Sequence, residues 1–230
     1  MGLKNVECII WDCDGCLIDS ELLACSVSAS LMGEFGYDIT AQEYIERFAG
    51  KGIKHSISII EKETNKEILP YFPFERLKTE RKKIFSESLK EIDGVSEVLS
   101  KIDLPMCVAS GSSIDRLDLT LGIVELKSRF EGRIYSSEQV ENGKPAPDIF
   151  LYAARNMGVA PENCLVIEDS VSGIKAAKAA GMPVFAFLGA SHAVGDWESR
   201  VRKEDPDLIF RDMRLLPELL KDAELNGYAT

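Results

Sequence analysis

The sequence predicts an α/β protein, a doubly wound, Rossmann-like parallel sheet interrupted near its start by an all-helical insertion. Three observations carry this expectation. Short apolar runs recur along the chain, helical patterns separate them, and residues 20–91 show helical spacing and charge without a convincing strand. Runs of that kind suit strands covered on both faces, and their alternation with helices argues for parallel pairing through crossovers.

Val6, Ile9, Ile10 and Trp11 form the first run, and two carboxylates, Asp12 and Asp14, emerge where it ends, followed at once by Gly15. Side chains alternate along an extended strand, so Asp12 and Asp14 point one way and Cys13 the other. Two acids in one small volume repel each other, and a bound cation or a shared proton relieves the repulsion. A turn signal after a buried strand would explain a lone D-x-D-G equally well.

From Ser20 to about Glu91, Leu22, Leu23, Val27 and Leu31 recur at near-helical spacing, as do Ile53, Ile57 and Ile60. The charged run Lys78 to Lys83 reads as a solvated helix face, and Leu69 to Phe74, with prolines at 70 and 73, breaks the helices. Asp93-Gly94 marks the return to the sheet. Further strands are expected at Met106 to Ala109, Ile134 with Tyr135, Leu165 to Ile167 and Val184 to Leu188, with a weaker sixth at Leu208 to Phe210. Helical patterns occupy Val95 to Ile102, Ile114 to Leu121, Asp148 to Met157 and Val171 to Ala180.

Composition narrows the function classes. The chain has 230 residues, 45% of them hydrophobic, and a formal net charge of -11. That charge repels phosphate backbones and anionic bilayers, so neither nucleic acid nor a membrane is an expected partner. The first residues lack the apolar stretch of a secretory signal and no run is long enough to span a bilayer, which leads us to expect a cytoplasmic protein. Cys13 and Cys16 have C-x-x-C spacing, but no second such pair exists and His55 and His192 are remote in sequence. The six cysteines therefore read as small reduced core residues rather than a redox pair or zinc site.

Three later segments repeat the pattern of a polar group directly after an apolar run. Val108 to Ser113 ends in S-G-S-S, whose hydroxyls and backbone N–H groups can cradle an anion or simply cap a helix. Gly143-Lys144-Pro145-Ala146-Pro147-Asp148 holds Lys144 in a proline-stiffened loop, suited to neutralising phosphate. Val166 to Ser170 ends a buried run with the acidic pair Glu168-Asp169, one acid more than a helix start requires.

In this order and spacing, D-C-D-G, S-G-S, G-K-P-A-P-D and I-E-D-S resemble the four signature motifs of the haloacid dehalogenase-like superfamily. The helical insertion resembles the cap of the subgroup that contains phosphoglycolate phosphatase, β-phosphoglucomutase and small sugar-phosphate phosphatases. The resemblance implies a core domain of residues 1–19 and 92–230 and a cap domain of residues 20–91. It makes Asp12 the nucleophile that becomes an aspartyl phosphate and Asp14 the general acid and base. It assigns Ser110, Gly111 and Lys144 to the phosphate, and Asp12, the Asp14 carbonyl, Glu168 and Asp169 to Mg2+. Cys16 departs from the threonine or valine usual at its position, and Asp19 is expected to serve hinge hydrogen bonding.

Dehalogenating relatives lack the second motif-one acid because a halide leaves without a proton, so Asp14 implies phosphate esters. The β-phosphoglucomutases carry a cap histidine just past the stretch aligned with Leu22, where this chain has Ala24. Hydrolysis of a small phosphorylated sugar or sugar acid is therefore expected ahead of a mutase, or of an inactive phosphate-binding protein. Arg47, Gly50 and Lys51 match the cap loop that faces the substrate and would set specificity. A monomer or weak homo-oligomer is expected.

Overall fold

The computed structural model describes residues 6–48 and 52–226. Its elements run in order as β1 (Cys8–Trp11), α1 (Glu21–Glu34), α2 (Ala41–Phe48), α3 (Ile53–Thr64), α4 (Phe74–Ser88) and α5 (Val95–Lys101). They continue as β2 (Met106–Ser110), α6 (Ile114–Ile123), β3 (Ile134–Ser136), α7 (Asp148–Met157), β4 (Cys164–Glu168) and α8 (Val171–Ala179). The chain closes with β5 (Val184–Phe187), α9 (Trp197–Arg202), β6 (Leu208–Phe210) and α10 (Leu216–Asn226). Short 3₁₀ turns occupy several of the connections.

The strands form one six-stranded sheet in the order β3-β2-β1-β4-β5-β6, every pairing parallel. The first half of the sheet grows outward on one side of β1 and the second half on the other. The direction therefore reverses between β1 and β4, which leaves a crevice at the carboxyl ends of those strands. Register places Trp11 beside both Val108 and Ile167, so the residues that follow β1 and β4 emerge side by side.

Burial explains why these runs are strands. Every residue of β1, β4 and β5 is buried, and Ile9, Ile10, Leu165, Val166 and Ile167 are wholly inaccessible. Each such side chain contributes about 1.5–3 kcal/mol on leaving water, which offsets the roughly 1–2 kcal/mol lost in ordering its backbone. All six strands of the sequence reading are present; β2 and β4 run on to Ser110 and Glu168, so polar residues close the strands instead of following them.

The chain divides into two compact units, Met1–Asp19 with Lys90–Thr230, and Ser20–Leu89. The second contains α1 to α4 and a 3₁₀ turn at Leu69–Tyr71, where Pro70 and Pro73 stop regular helix. Its core includes Leu31 of the largely apolar α1 and Tyr44, Ile45, Phe48, Ile57, Ile60 and Phe85, the inward positions of the amphipathic α2 to α4.

The loop after β1 turns sharply. The Gly15 N–H donates to the Ile18 carbonyl at 2.8 Å, and the Leu17 and Ile18 N–H groups both reach the Cys13 carbonyl. Gly15 has φ +87°, and a side chain there would overlap Asp169 and His192. Glycine is required on both counts.

Candidate active site

Asp12 and Lys144 meet in the crevice. The Lys144 Nζ donates to Asp12 Oδ1 at 2.5 Å, to Glu168 Oε1 at 2.8 Å and to the Ala109 carbonyl at 3.1 Å, while its charge also lies 4.7 Å from the Phe150 ring centre. Only 8% of the Lys144 side chain is exposed. Burial alone would lower its proton affinity, but the Asp12 and Glu168 carboxylates overcome that and hold it above the ordinary lysine range. Lys144 is a fixed cation.

For Asp12 the balance runs the other way. Burial pushes its carboxyl well above the usual range, Lys144 pulls it down, and the charges of Glu168, Asp169 and Asp14 push it up again. One lysine is too little positive charge for this many acids.

Glu168 is engaged on both oxygens. Its Oε2 accepts the Asp169 and Ser170 N–H groups at 2.8 and 2.7 Å and the Ser170 hydroxyl at 2.9 Å, while Oε1 takes Lys144. Ser170 in turn caps α8, its Oγ accepting the Gly173 N–H at 3.0 Å. A Cβ at Gly173 would fall inside the Glu168 carboxylate, so this packing needs glycine. Glu168 thus faces the lysine and the start of α8.

Among the described residues, one group of potential metal ligands stands out. Asp12, Cys16 and Asp169 offer ligand atoms that all lie within 4.8 Å of one another, all three buried. The excess of buried negative charge and the oxygen donors of Asp12 and Asp169 fit a hard divalent cation. The Cys16 thiol fits such an ion poorly, and burial with the Asp169, Asp12 and Glu168 charges keeps it protonated. All six cysteines are free and buried.

The phosphate-cradle residues of the sequence reading lie at the end of β2. Ser110 is buried and its Oγ accepts the Ser112 N–H at 3.1 Å. Gly111 borders open space, with nothing within 4 Å of where a Cβ would stand, and its carbonyl accepts the Ser137 hydroxyl. Asp14 is held by two donors, Ser112 Oγ to Oδ2 at 2.6 Å and Arg116 Nη2 to Oδ1 at 2.7 Å. Asp19 accepts the Ser191 N–H and hydroxyl at 3.2 and 2.7 Å.

Arg116 and His192 were missed from sequence. His192 is wholly buried, with Nε2 2.8 Å from Asp169 Oδ2 and its ring edge-on to Trp197, whose indole N–H donates to the Asp169 carbonyl. Its only sequence signal is its position in the loop after β5, at the same sheet edge as the acids. In the helical unit, Arg47 pairs with Glu63 at 2.5 Å and bonds the Tyr37 hydroxyl. Gly50 and Lys51 lie outside the described residues.

Comparison with known proteins identifies the family and the fold. The profile of the haloacid dehalogenase-like hydrolases matches residues 9–187. The 6-phosphogluconate phosphatase of Escherichia coli (strain K12) is 30% identical over 219 residues, 95% of this chain and 96% of that one. A solved haloacid dehalogenase-like protein of unknown function from Agrobacterium tumefaciens superposes with a TM-score of 0.87 at 38% identity, covering 94% of this chain and 97% of its own. A haloacid dehalogenase family hydrolase from Deinococcus radiodurans, solved with phosphate and sodium bound, gives 0.80 at 28% identity over 95% of this chain and 96% of its own. By profile, by sequence and by fold, the chain belongs to the haloacid dehalogenase-like hydrolases.

Proposed function

We propose that this hydrolase cleaves the phosphoric monoester of a small phosphorylated metabolite, a sugar phosphate or sugar-acid phosphate, through an aspartyl phosphate on Asp12. The observation that carries the reading is the buried Asp12–Lys144–Glu168 contact at the switch point of the sheet, with Asp14 held beside it.

A carboxylate oxygen of Asp12 attacks phosphorus and the bond from phosphorus to the ester oxygen breaks. Asp14 gives a proton to the departing alcohol. It then takes one from the water that attacks the phosphoenzyme, which breaks the bond to Asp12 and releases inorganic phosphate. Lys144, Ser110 and the Gly111 N–H meet the charge spread over the non-bridging oxygens, and Glu168 keeps Lys144 aimed. Mg2+, held by Asp12, Asp169 and the Asp14 carbonyl, would neutralise phosphoryl charge; Glu168, already engaged, is assigned to orientation more than to ligation.

Selectivity is assigned to the helical unit. Arg47 already pairs with Glu63, so recognition of a second anionic group falls mainly to Lys51 and the backbone at Gly50. A phosphorylated sugar acid is supported by the activity in the name of the Escherichia coli relative. The six reduced thiols suit a cytoplasmic setting, and no described helix is long and apolar enough to cross a membrane.

Phosphate release from a metabolite panel with Mg2+ tests the activity, and acid-quench trapping of labelled phosphate on the protein tests the intermediate. Asp12→Asn is expected to abolish both. Undiminished turnover in that variant would remove Asp12 as nucleophile.

A further inference from the structure

We infer that Arg116, together with Ser112, is a positioning residue that fixes the Asp14 carboxylate for proton transfer. The inference rests on the reading of Asp14 as acid and base, and adds a residue that none of the four motifs contains.

Asp14 is gripped by two side chains of the segment that runs from β2 into α6. Ser112 reaches Oδ2 at 2.6 Å from the loop after β2, and Arg116 reaches Oδ1 at 2.7 Å from the first turn of α6. With each oxygen engaged by its own donor, the carboxylate can neither rotate about its own axis nor swing from the loop without breaking a contact. A side chain two bonds long in a glycine-flanked loop would otherwise sample several rotamers.

The donors are themselves anchored. The Ser112 N–H donates to Ser110 Oγ at 3.1 Å, and its carbonyl accepts the Ser136 hydroxyl at 2.7 Å. The backbone of Arg116 is set by the Ser113 cap of α6, whose Oγ accepts the Arg116 N–H at 3.4 Å. The pair is largely withdrawn from solvent, with 14% of the Asp14 side chain and 27% of the Arg116 side chain exposed. An ion pair so placed is screened less than a surface bridge, and its planar guanidinium holds direction as well as charge. The mechanism gives Asp14 two proton transfers, and misplacement by about 1 Å is enough to cost about 100-fold in rate.

A merely structural tie between the β1 loop and α6 would predict something different, and leaving groups separate the two. The kcat/KM value covers the steps up to departure of the alcohol. A poor leaving group such as phenolate needs a proton at that point, and dinitrophenolate does not. With Mg2+ present, the measurement is kcat/KM over ring-substituted phenyl phosphates, from phenyl to 2,4-dinitrophenyl, for wild type, Arg116→Gln, Arg116→Lys, Ser112→Ala and Asp14→Asn.

For Arg116→Gln the expectation is a loss of about 100-fold on phenyl phosphate and about 3-fold or less on the dinitrophenyl ester, hence a steeper leaving-group dependence. Arg116→Lys should recover part of the phenyl activity, and Ser112→Ala should steepen the dependence in the same direction even if Arg116→Gln folds poorly. Equal losses across the series in both Arg116→Gln and Ser112→Ala would overturn the inference. Asp14→Asn tells the two readings apart. If it steepens the dependence while Arg116→Gln and Ser112→Ala do not, only the positioning role falls. If Asp14→Asn itself leaves the dependence unchanged, the acid role of Asp14 falls and the inference falls with it.

Discussion

Lys144 in the sheet unit and Arg47 in the helical unit are built from the same parts. Each is a cation with an acidic partner 2.5 Å away and an aromatic face beside it, Phe150 at 4.7 Å for Lys144 and Phe48 at 5.0 Å for Arg47. They differ in burial, at 8% exposure of the Lys144 side chain against 42% for Arg47. Water screens the second pair far more than the first, so the same contact adds little to stability in one unit and forms the electrostatic centre of the other. Contact geometry alone would have ranked the two as equals.

Removing Lys144 should break that comparison hardest. In Lys144→Ala, Asp12 and Glu168 lose their shared cation in a site where an uncompensated buried charge costs about 3–5 kcal/mol. Turnover of phosphate esters should fall below detection, and the denaturant midpoint should drop with the slope unchanged. A variant that keeps its midpoint would show that the acids find other relief.

Asp12→Asn should move stability the opposite way. Burial and the neighbouring acids outweigh Lys144, so the charge of Asp12 is a net burden in the metal-free fold. Its folded proton affinity lies above the unfolded value, so the native state keeps a proton that the unfolded chain releases. Metal-free stability therefore falls as pH rises above the ordinary carboxylate range, and the asparagine variant loses that part of the slope. At neutral pH it should be more stable by about 1 kcal/mol, the usual trade between stability and an active site. Thermal unfolding against pH, with chelator and with Mg2+, checks both the sign and its reduction by the metal.

A smaller effect is expected at His192. Its Nε2 contact braces Asp169, and outer partners of metal ligands typically set about 10-fold or more in affinity. Calorimetric titration of Mg2+ into phosphate-free His192→Gln should show a weaker constant by about that factor. An unchanged constant would detach His192 from the metal site.

These residues also show what sequence can and cannot disclose. The sheet was legible because its inner strands are short unbroken apolar runs, Ile9 to Trp11, Leu165 to Ile167 and Val184 to Phe187, buried on both faces. Asp12, Asp14 and Asp169 were legible as candidates for the same reason, since they stand where those runs stop, whereas Lys144 lies in the loop between β3 and α7 and was legible through the prolines that stiffen it. Consecutive residues on an extended strand point apart, however, so the pair Glu168-Asp169 does not act as one unit: Glu168 turns to Lys144 and the start of α8, and Asp169 to His192. Arg116 was hidden because an arginine in a first helical turn looks like any solvated one, and its partner lies 102 residues away. The six-residue helix α9 gave too few turns for a period to emerge.

The smallest effect belongs to Arg47, and it sharpens the comparison from the exposed side. Arg47→Met removes the contacts to Glu63 and Tyr37, yet both partners return to water without leaving a buried group unsatisfied. The melting temperature should not change measurably, and activity on phenyl phosphates, which lack a second anionic group, should stay at the wild-type level. Lys51→Ala should instead shift preference among phosphorylated sugars and sugar acids at constant stability. If Arg47→Met moves that preference as far as Lys51→Ala does, Arg47 must leave Glu63 when substrate arrives, and the pairing seen here is a resting state that the substrate displaces.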